Sequence, residues 1–509
     1  MRTPATGGAG CGCGPSETAM TSGAALPVSG RPWRALFPVL TFEATERFGF
    51  YGLQGLLLLY LTRSLNMPES DANLIAASFS GVAYASTLLG GAIGGQLFGA
   101  RAAAMVGAAL QGCALAAACV ATDVCRFLGV LAAAAMANGL TRPNVATLVR
   151  DLKQPGERAD GLFTLYALAV NLGAALAFLV APWLARTMGW APAFGLCALC
   201  VIVGMIVLGA SASRSVADRA PENGQRWRGV AGLAVVAGAV LCVFGVLNDP
   251  RLGRYVFQVT ACAVPAFWVA IWTRCGARER RGVLIALLLI AQAMFYALFD
   301  QQTTSTFILF ALHDVGSDFR VGGVTIAHLS GAQFVAVNAG LTMALAPLFA
   351  RLYRRLGKVG REPPLHTKYL IGSAFIILSF GLLWLLIRRQ DGGMLSPWGL
   401  TAGYALISVA GLLMNSLGLA VVSEYVPLRF NGVATALFYI TLGTAMYAGG
   451  VLSNAFALHD LAAAASPEAV RGVFERLFRD FALLAIAGFC IVLVLQPVLR
   501  RMQGSYMRR

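Results

Sequence analysis

Five ionisable residues stand in stretches otherwise apolar enough to lie in a bilayer: Glu43, Glu46, Arg47, Arg142 and Asp300. A charge at membrane depth costs a few kcal/mol or more, so each is a candidate for function. Glu43, Glu46 and Arg47 are spaced i, i+3 and i+4, which puts them on one helix face, and Phe50, Tyr51 and Gln54 extend it. Such a stripe cannot face lipid and must line a polar interior. Three carboxylates face two guanidiniums, and arginine stays charged, so one acid lacks a partner when all are ionised. That acid is a natural proton acceptor; an ion-pair lattice between helices is the alternative reading. Arg142 lies in "GLTRPN", where Pro143 frees backbone carbonyls and permits a bend tolerated beside a cavity. Asp300 lies in "FYALFDQQTTS". Pairing Arg142 with a first-helix glutamate, and Asp300 with substrate or Asn338, would give protonation a mechanical consequence.

The elements that must hold these groups are membrane helices. The chain has 509 residues, 58% hydrophobic and 12% charged, with a mean hydropathy of +0.71; soluble domains carry about 25% charged residues. Soluble multidomain enzymes, secreted disulfide scaffolds and disordered proteins are excluded. Apolar runs of about 20 residues each span a bilayer. They are expected at 34–62, 72–99, 101–121, 124–150, 160–185 and 188–211, then at 228–247 and 254–273. Six more follow at 281–312, 322–356, 365–388, 395–426, 430–457 and 475–499, about fourteen in all. The organisation read from this is a disordered cytoplasmic tail (1–33), a six-helix bundle (34–211) and a connector with two extra helices (212–280). A second six-helix bundle (281–499) and a short cytoplasmic tail (500–509) complete it.

The net charge of +16 is spread over short loops without a basic stripe, so it reads as topology and not as a nucleic-acid surface. With the N-terminus inside, 26 of the 39 basic residues fall on inner segments and 11 on outer ones, which makes both termini cytoplasmic. Cys197 and Cys200 form a CxxC inside an apolar helix, and the four histidines (His313, His328, His366, His459) form no ligand cluster, so no metal site is expected. Two bundles around a charged connector point to a midplane site between them. The stripe of Gly91, Gly95 and Gly99 predicts close helix packing.

These residues resemble the proton-dependent oligopeptide transporter family of the major facilitator superfamily. "EATERFGFYG" (Glu43 to Gly52) is similar to its first-helix ExxERFxYYG motif, and "GLTRPNVATLVRD" to its fourth-helix GxxKPN block, with arginine for lysine. "FTLYALAVNLG" resembles the fifth-helix FYxxINxG, "FYALFDQQ" the seventh-helix FWxxFEQQ, and "QFVAVNAG" the eighth-helix QxxNP region. The resemblance implies an all-α major facilitator fold with two six-helix bundles and two helices between the halves, as in bacterial members. It implies proton coupling by Glu43, Glu46, Arg47, Arg142 and Asp300. Substrate contacts would fall to Arg47, Tyr51, Tyr84, Arg142, Asn171 and Asn338, with the two arginines on a peptide carboxylate.

Four positions depart from the pattern. The family's tenth-helix glutamate, which pairs with a peptide amino terminus, falls at Leu412; the first-helix tyrosine falls at Phe50 and the eleventh-helix tryptophan at Phe438. The Asp-Arg after the second helix falls at Gly95 and Gln96. Leucine cannot pair with an ammonium, and burying one unpaired is expensive, so Leu412 suits a substrate that is capped, anionic or apolar at that end. The expected activity is proton-coupled symport of di- and tripeptides or peptide-like compounds by alternating access in a bacterial inner membrane. The alternatives are another cargo on the same fold (an N-modified peptide, a peptidic siderophore or natural product, nitrate), export in place of import, and a receptor that does not transport. The expected partners are a small peptide, protons and membrane lipid; no enzyme activity, metal, nucleic acid or cofactor beyond the coupling proton is expected.

Overall fold

The structure is a computed structural model that describes residues 30–152, 159–211, 226–329, 331–359, 361, 363–390, 392–414 and 418–507. Residues 1–29 of the expected tail and 212–225 of the charged connector lie outside the described residues. Six long helices come first: α1 (Gly30–Arg63), α2 (Glu69–Ile93), α3 (Ala100–Ala118), α4 (Val124–Asp151), α5 (Ala159–Met188) and α6 (Trp190–Ala210). A helical pair follows, α7 (Arg226–Asn248) and α8 (Pro250–Thr273). The second half holds α9 (Ala277–Thr303), α10 (Thr306–His313), α11 (Phe334–Lys358), α12 (Leu365–Arg388), α13 (Pro397–Met414), α14 (Gly418–Tyr425), α15 (Asn431–Phe456) and α16 (Pro467–Met507). Thirteen stretches among the described residues are long and apolar enough to cross a membrane. Helix α1, which carries the three-charge stripe, is not among them by composition but runs 34 residues, long enough to span.

Helices α1 to α6 pack on one another, α9 to α16 form the second bundle, and the two halves meet through α2 against α15 and α5 against α11. Glycine makes the α2–α15 approach possible. A Cβ on Gly81 would lie 2.8 Å from the Gly443 carbonyl oxygen, and one on Gly443 would meet the Gly81 carbonyl. The small-residue packing inside the first bundle sits one position from the expected stripe. Gly90 and Gly94 take the backbone of Gly139 and the side chain of Asn144, whereas nothing lies within 4 Å of a Cβ on Gly95.

Two expected spans differ from the structure in detail. The span expected at 281–312 matches one long apolar stretch, Ala277–His313, with a turn at Thr304 and Ser305 between α9 and α10. There Thr303 and Ser305 donate side-chain hydrogen bonds to the carbonyls of Asp300 and Gln301, at 2.7 and 3.0 Å, so hydroxyls compete with the helical ladder. The helix expected to start at 322 starts at Phe334. Before it, β1 (Asp318–Val321) and β2 (Val324–His328) pair antiparallel around Gly322 and Gly323. Both glycines have positive φ, 58° and 86°, the backbone a tight hairpin turn needs. Within the span expected at 395–426 lie α13 and α14, with residues 415–417 outside the described residues, and α16 runs as helix to Met507, into the expected tail at 500–509.

Polar contacts clamp the two bundles at the end where α1 passes into α2. Asn73 Nδ2 donates to the Gly450 carbonyl at 3.1 Å and to Asn454 Oδ1 at 3.0 Å, and Asn454 Nδ2 donates to Ser70 O at 2.8 Å. His313 Nε2 meets Glu69 Oε1 at 2.7 Å. Arg186 meets His328 Nε2 at 3.3 Å, and Gln333 Nε2 donates to Leu179 O at 3.1 Å.

Candidate functional site: a charged cavity between the bundles

Helix α1 and helix α4 build the first part of the site. Arg47 is 2% exposed, and Glu43 and Glu46 are fully buried. Arg47 Nε lies 2.6 Å from Glu46 Oε2 and 3.3 Å from Glu43 Oε1. Its other nitrogens donate to Asn138 Oδ1 at 2.8 Å and Thr141 Oγ1 at 3.2 Å. Thr141 donates in turn to Glu46 Oε1 at 3.1 Å. Gln111 of α3, with its amide turned to satisfy both ends, donates to the same oxygen at 3.0 Å. Glu46 is therefore held on every side, whereas Glu43 shares a nitrogen already committed to Glu46 and lies beside Tyr166 of α5. A buried ion pair stays charged only when its remaining lone pairs and protons are met. The polar threonine and asparagine of α4 meet those of Arg47 and Glu46.

In front of this cluster lies a cavity between the bundles with a water-accessible volume of about 160 Å³. By that measure one water needs roughly 10–15 Å³, so the space holds on the order of ten waters, or a very small peptide. The first bundle contributes Tyr51, Gln54, Tyr84, Asn138, Arg142 and Asn171; the second contributes Asp300, Gln301, Thr303, Thr304, Asn338 and Thr342. Among the described lining residues, Arg142 is the one cation and Asp300 the one anion, and they face the cavity from opposite bundles. The Arg142 guanidinium stacks 5.0 Å above the Tyr84 ring, which holds its planar fork without using its hydrogen-bond donors. Asp300 Oδ1 accepts a hydrogen bond from the Tyr296 hydroxyl at 2.8 Å.

Of the residues expected to meet substrate, Tyr51, Tyr84, Arg142, Asn171 and Asn338 line this cavity, and so does Asp300. Arg47 does not; it is sealed behind the wall with the two glutamates. Arg142 does not pair with a first-helix glutamate, and Asp300 does not pair with Asn338. Arg142 takes the face of Tyr84 in place of a glutamate, because Arg47 already occupies both acids. Asp300 takes Tyr296, and Asn338 bonds through Oδ1 to the Ser408 hydroxyl. The residues that sequence reasoning passed over are Asn138, Gln111, Tyr166 and Tyr296. Two were legible by period: Asn138 lies four residues before Arg142, and Tyr296 four before Asp300, one helical turn in each case. Tyr296 also matters for Leu412. The neighbouring Gly411 stands so near the Tyr296 hydroxyl that a Cβ there would come within 2.5 Å of it. The Asp300–Tyr296 pair thus packs against α13 at Gly411, next in the chain to Leu412.

The same architecture recurs among solved structures. A crystal structure of tetrameric PepTSo2 aligns with a TM-score of 0.81 at 27% identity, covering 92% of this chain and 99% of that one. A bacterial homologue of the human drug peptide transporters PepT1 and PepT2 aligns with a TM-score of 0.80, at 27% identity over 92% and 99% of the two chains. In sequence, the chain is 31% identical over 435 residues to a dipeptide and tripeptide permease A of Erwinia pyrifoliae, covering 82% of this chain and 85% of the relative. It is 29% identical over 487 residues to the protein of that name from Escherichia coli K12, covering 92% and 93%. The family model described as POT family matches residues 98–468. With a match of that extent on a fold of two bundles about a charged central cavity, the chain is a member of the POT family.

Proposed function

We propose that this protein is a proton-coupled symporter of di- and tripeptides, working by alternating access in a bacterial inner membrane with both termini in the cytoplasm. The observation that carries the reading is a cavity charged oppositely on its two bundle walls, backed by a buried cluster whose charge changes with one proton. Arg142 would hold the peptide carboxylate in its planar fork, and Asp300 the peptide ammonium. A bound peptide would then span both bundles and favour their closing around it. Asn171 and Asn338, one from each side, supply donors and acceptors for the peptide bond. The names of the relatives, dipeptide and tripeptide permeases, support the same cargo.

Coupling follows from charge. Glu43, Glu46 and Arg47 together carry −1 when both acids are ionised and are neutral with one proton. Glu43, with the poorer partner set, is the acid we assign to carry it. A proton on Glu43 would neutralise the cluster behind the wall while Arg142 takes the peptide carboxylate in front of it, so that proton and peptide enter together. Inward movement of the proton supplies about 2.3 kcal/mol per charge for each 100 mV. The excess of basic residues on inner segments puts the clamped end, with Asn73 and Asn454, on the outer side, which supports a state closed to the outside.

The test is uptake into proteoliposomes under an inward proton gradient, with pooled di- and tripeptides offered beside their N-acetylated forms. Proton-driven accumulation of the free peptides is expected. Accumulation of the capped forms alone would replace this cargo with an N-modified one, the reading that Leu412 favours on its own. Silence for both from folded protein would refute peptide symport.

A further inference from the structure

The two helices between the bundles leave a second cavity that the transport reading does not use. It is a groove of about 690 Å³ between α8 and the α2–α15 pair, walled mostly by apolar side chains that include Leu74, Phe257, Ala261, Val451 and Leu452. Its polar end is marked by Arg254, which lies beside the Tyr447 hydroxyl. Arg251, one turn earlier on α8, is also exposed. Along α8 the lining runs from Arg254 to Ala261, roughly 10 Å of helix. Along α15 it runs from Asn454 to Thr444, roughly 15 Å, the depth of one leaflet of a bilayer core about 30 Å thick.

We propose that this groove binds one anionic phospholipid, its acyl chain along the α8–α15 wall and its phosphate at Arg254. The helices that wall the groove, α2, α8 and α15, are all long and apolar enough to cross a membrane, so the molecule that covers it is lipid. Its single charged lining residue among those described is a cation at the end where α8 begins, which selects for an anionic headgroup. The position gives the lipid leverage on the transport cycle. At the groove floor the Phe257 ring stacks on Tyr447 with centroids 3.9 Å apart. The same ring lies 2.9 Å from where a Cβ on Gly81 would stand, at the point where the α2 and α15 backbones touch. An acyl chain seated there braces α8 against the joint between the bundles and favours the packed α2–α15 arrangement.

The experiment is native mass spectrometry of the full chain released from nanodiscs of equal parts phosphatidylglycerol and phosphatidylcholine. The protein is expected to retain phosphatidylglycerol over phosphatidylcholine by about fivefold, the factor one arginine contributes near an anionic lipid surface. Arg254→Gln should abolish that preference while lipid still binds. Ala261→Trp, which fills the groove, should lower retained lipid of both kinds; Val451→Trp serves if that variant does not fold. Val269→Trp, on an exposed part of α8 outside the groove, should behave as wild type. Equal retention of the two lipids by the wild-type chain, or retention untouched by both groove-filling variants, would overturn the proposal. A groove-filling variant that instead reduces the mass of the particle from an oligomer to a monomer would also overturn it, by assigning the groove to a second copy of the chain.

Discussion

The charge cluster behind the cavity makes a prediction in which two glutamates three residues apart behave oppositely. Glu46 is the partner that makes the Arg47 guanidinium tolerable: 2.6 Å from Nε, accepting from Thr141 at 3.1 Å, and fully buried. Glu46→Gln keeps the shape and an acceptor but removes the charge, leaving a guanidinium that is 2% exposed with Glu43 at 3.3 Å as its remaining counter-ion. Removing one partner of a buried pair costs 3–5 kcal/mol, and the surviving acid puts this case at the lower end, about 3 kcal/mol. Glu43→Gln does the reverse. It leaves Arg47 and Glu46 as a balanced pair, so the first bundle should be at least as stable as in the wild type. The assay has two arms. Thermal unfolding in detergent should show Glu46→Gln clearly destabilised and Glu43→Gln unchanged or raised. In proteoliposomes Glu43→Gln should lose accumulation driven by a pH gradient yet retain exchange of labelled for unlabelled peptide, since binding and rocking persist without the titrating group. If Glu43→Gln unfolds as readily as Glu46→Gln, or still concentrates peptide under a proton gradient, the assignment of the proton to Glu43 is wrong.

Four further predictions use other parts of the molecule. Asp300→Asn should raise the KM for a free dipeptide at least about tenfold, as loss of a charge-assisted hydrogen bond implies, with little effect on N-acetylated peptide; equal loss for both would remove Asp300 from the ammonium role. Arg142→Gln should abolish discrimination between free and C-amidated dipeptides in competition uptake, and preserved discrimination would place the carboxylate elsewhere. Gly443→Ala drives a methyl into the Gly81 carbonyl, so spin-label distances between the Glu69 end of α2 and the Phe456 end of α15 should lengthen; unchanged distances would mean that the joint does not need this contact. The hydrogen bond from His328 holds the Asp318 carboxyl below its ordinary value. The stability it lends the hairpin is therefore full above the unfolded carboxylate value of about 3.9 and fades as pH falls below it. Trp398 stacks on Phe319 of that hairpin at 5.0 Å, so its fluorescence in a single-tryptophan background should change as pH falls below about 4; an unchanged signal there would contradict the argument.

How much was legible beforehand depends on the distance over which each feature is determined. Apolar runs are local, and lipid rejects an unpaired backbone, so helices followed from length and composition alone. The helical period then put Glu43, Glu46 and Arg47 on one face, and pointed to a polar interior, which α3 and α4 of the same bundle supply. The same local logic failed where side chains compete with the backbone. The hydroxyls of Thr303 and Ser305 accompany a turn between α9 and α10, and the positive-φ glycines Gly322 and Gly323 turn a hairpin in a stretch read as helix. Partner choice is not local. Arg142 and Arg47 are equivalent by composition, and both were expected at the substrate. Asn138 and Thr141, about ninety residues away in the chain, hold Arg47 behind the wall, while Tyr84 holds Arg142 in front of it. Residue type and spacing determined which charges the membrane would force inward. Tertiary packing decided which of them meet one another and which meet the cavity, because a buried charge takes the partner that the neighbouring helix brings within about 3 Å.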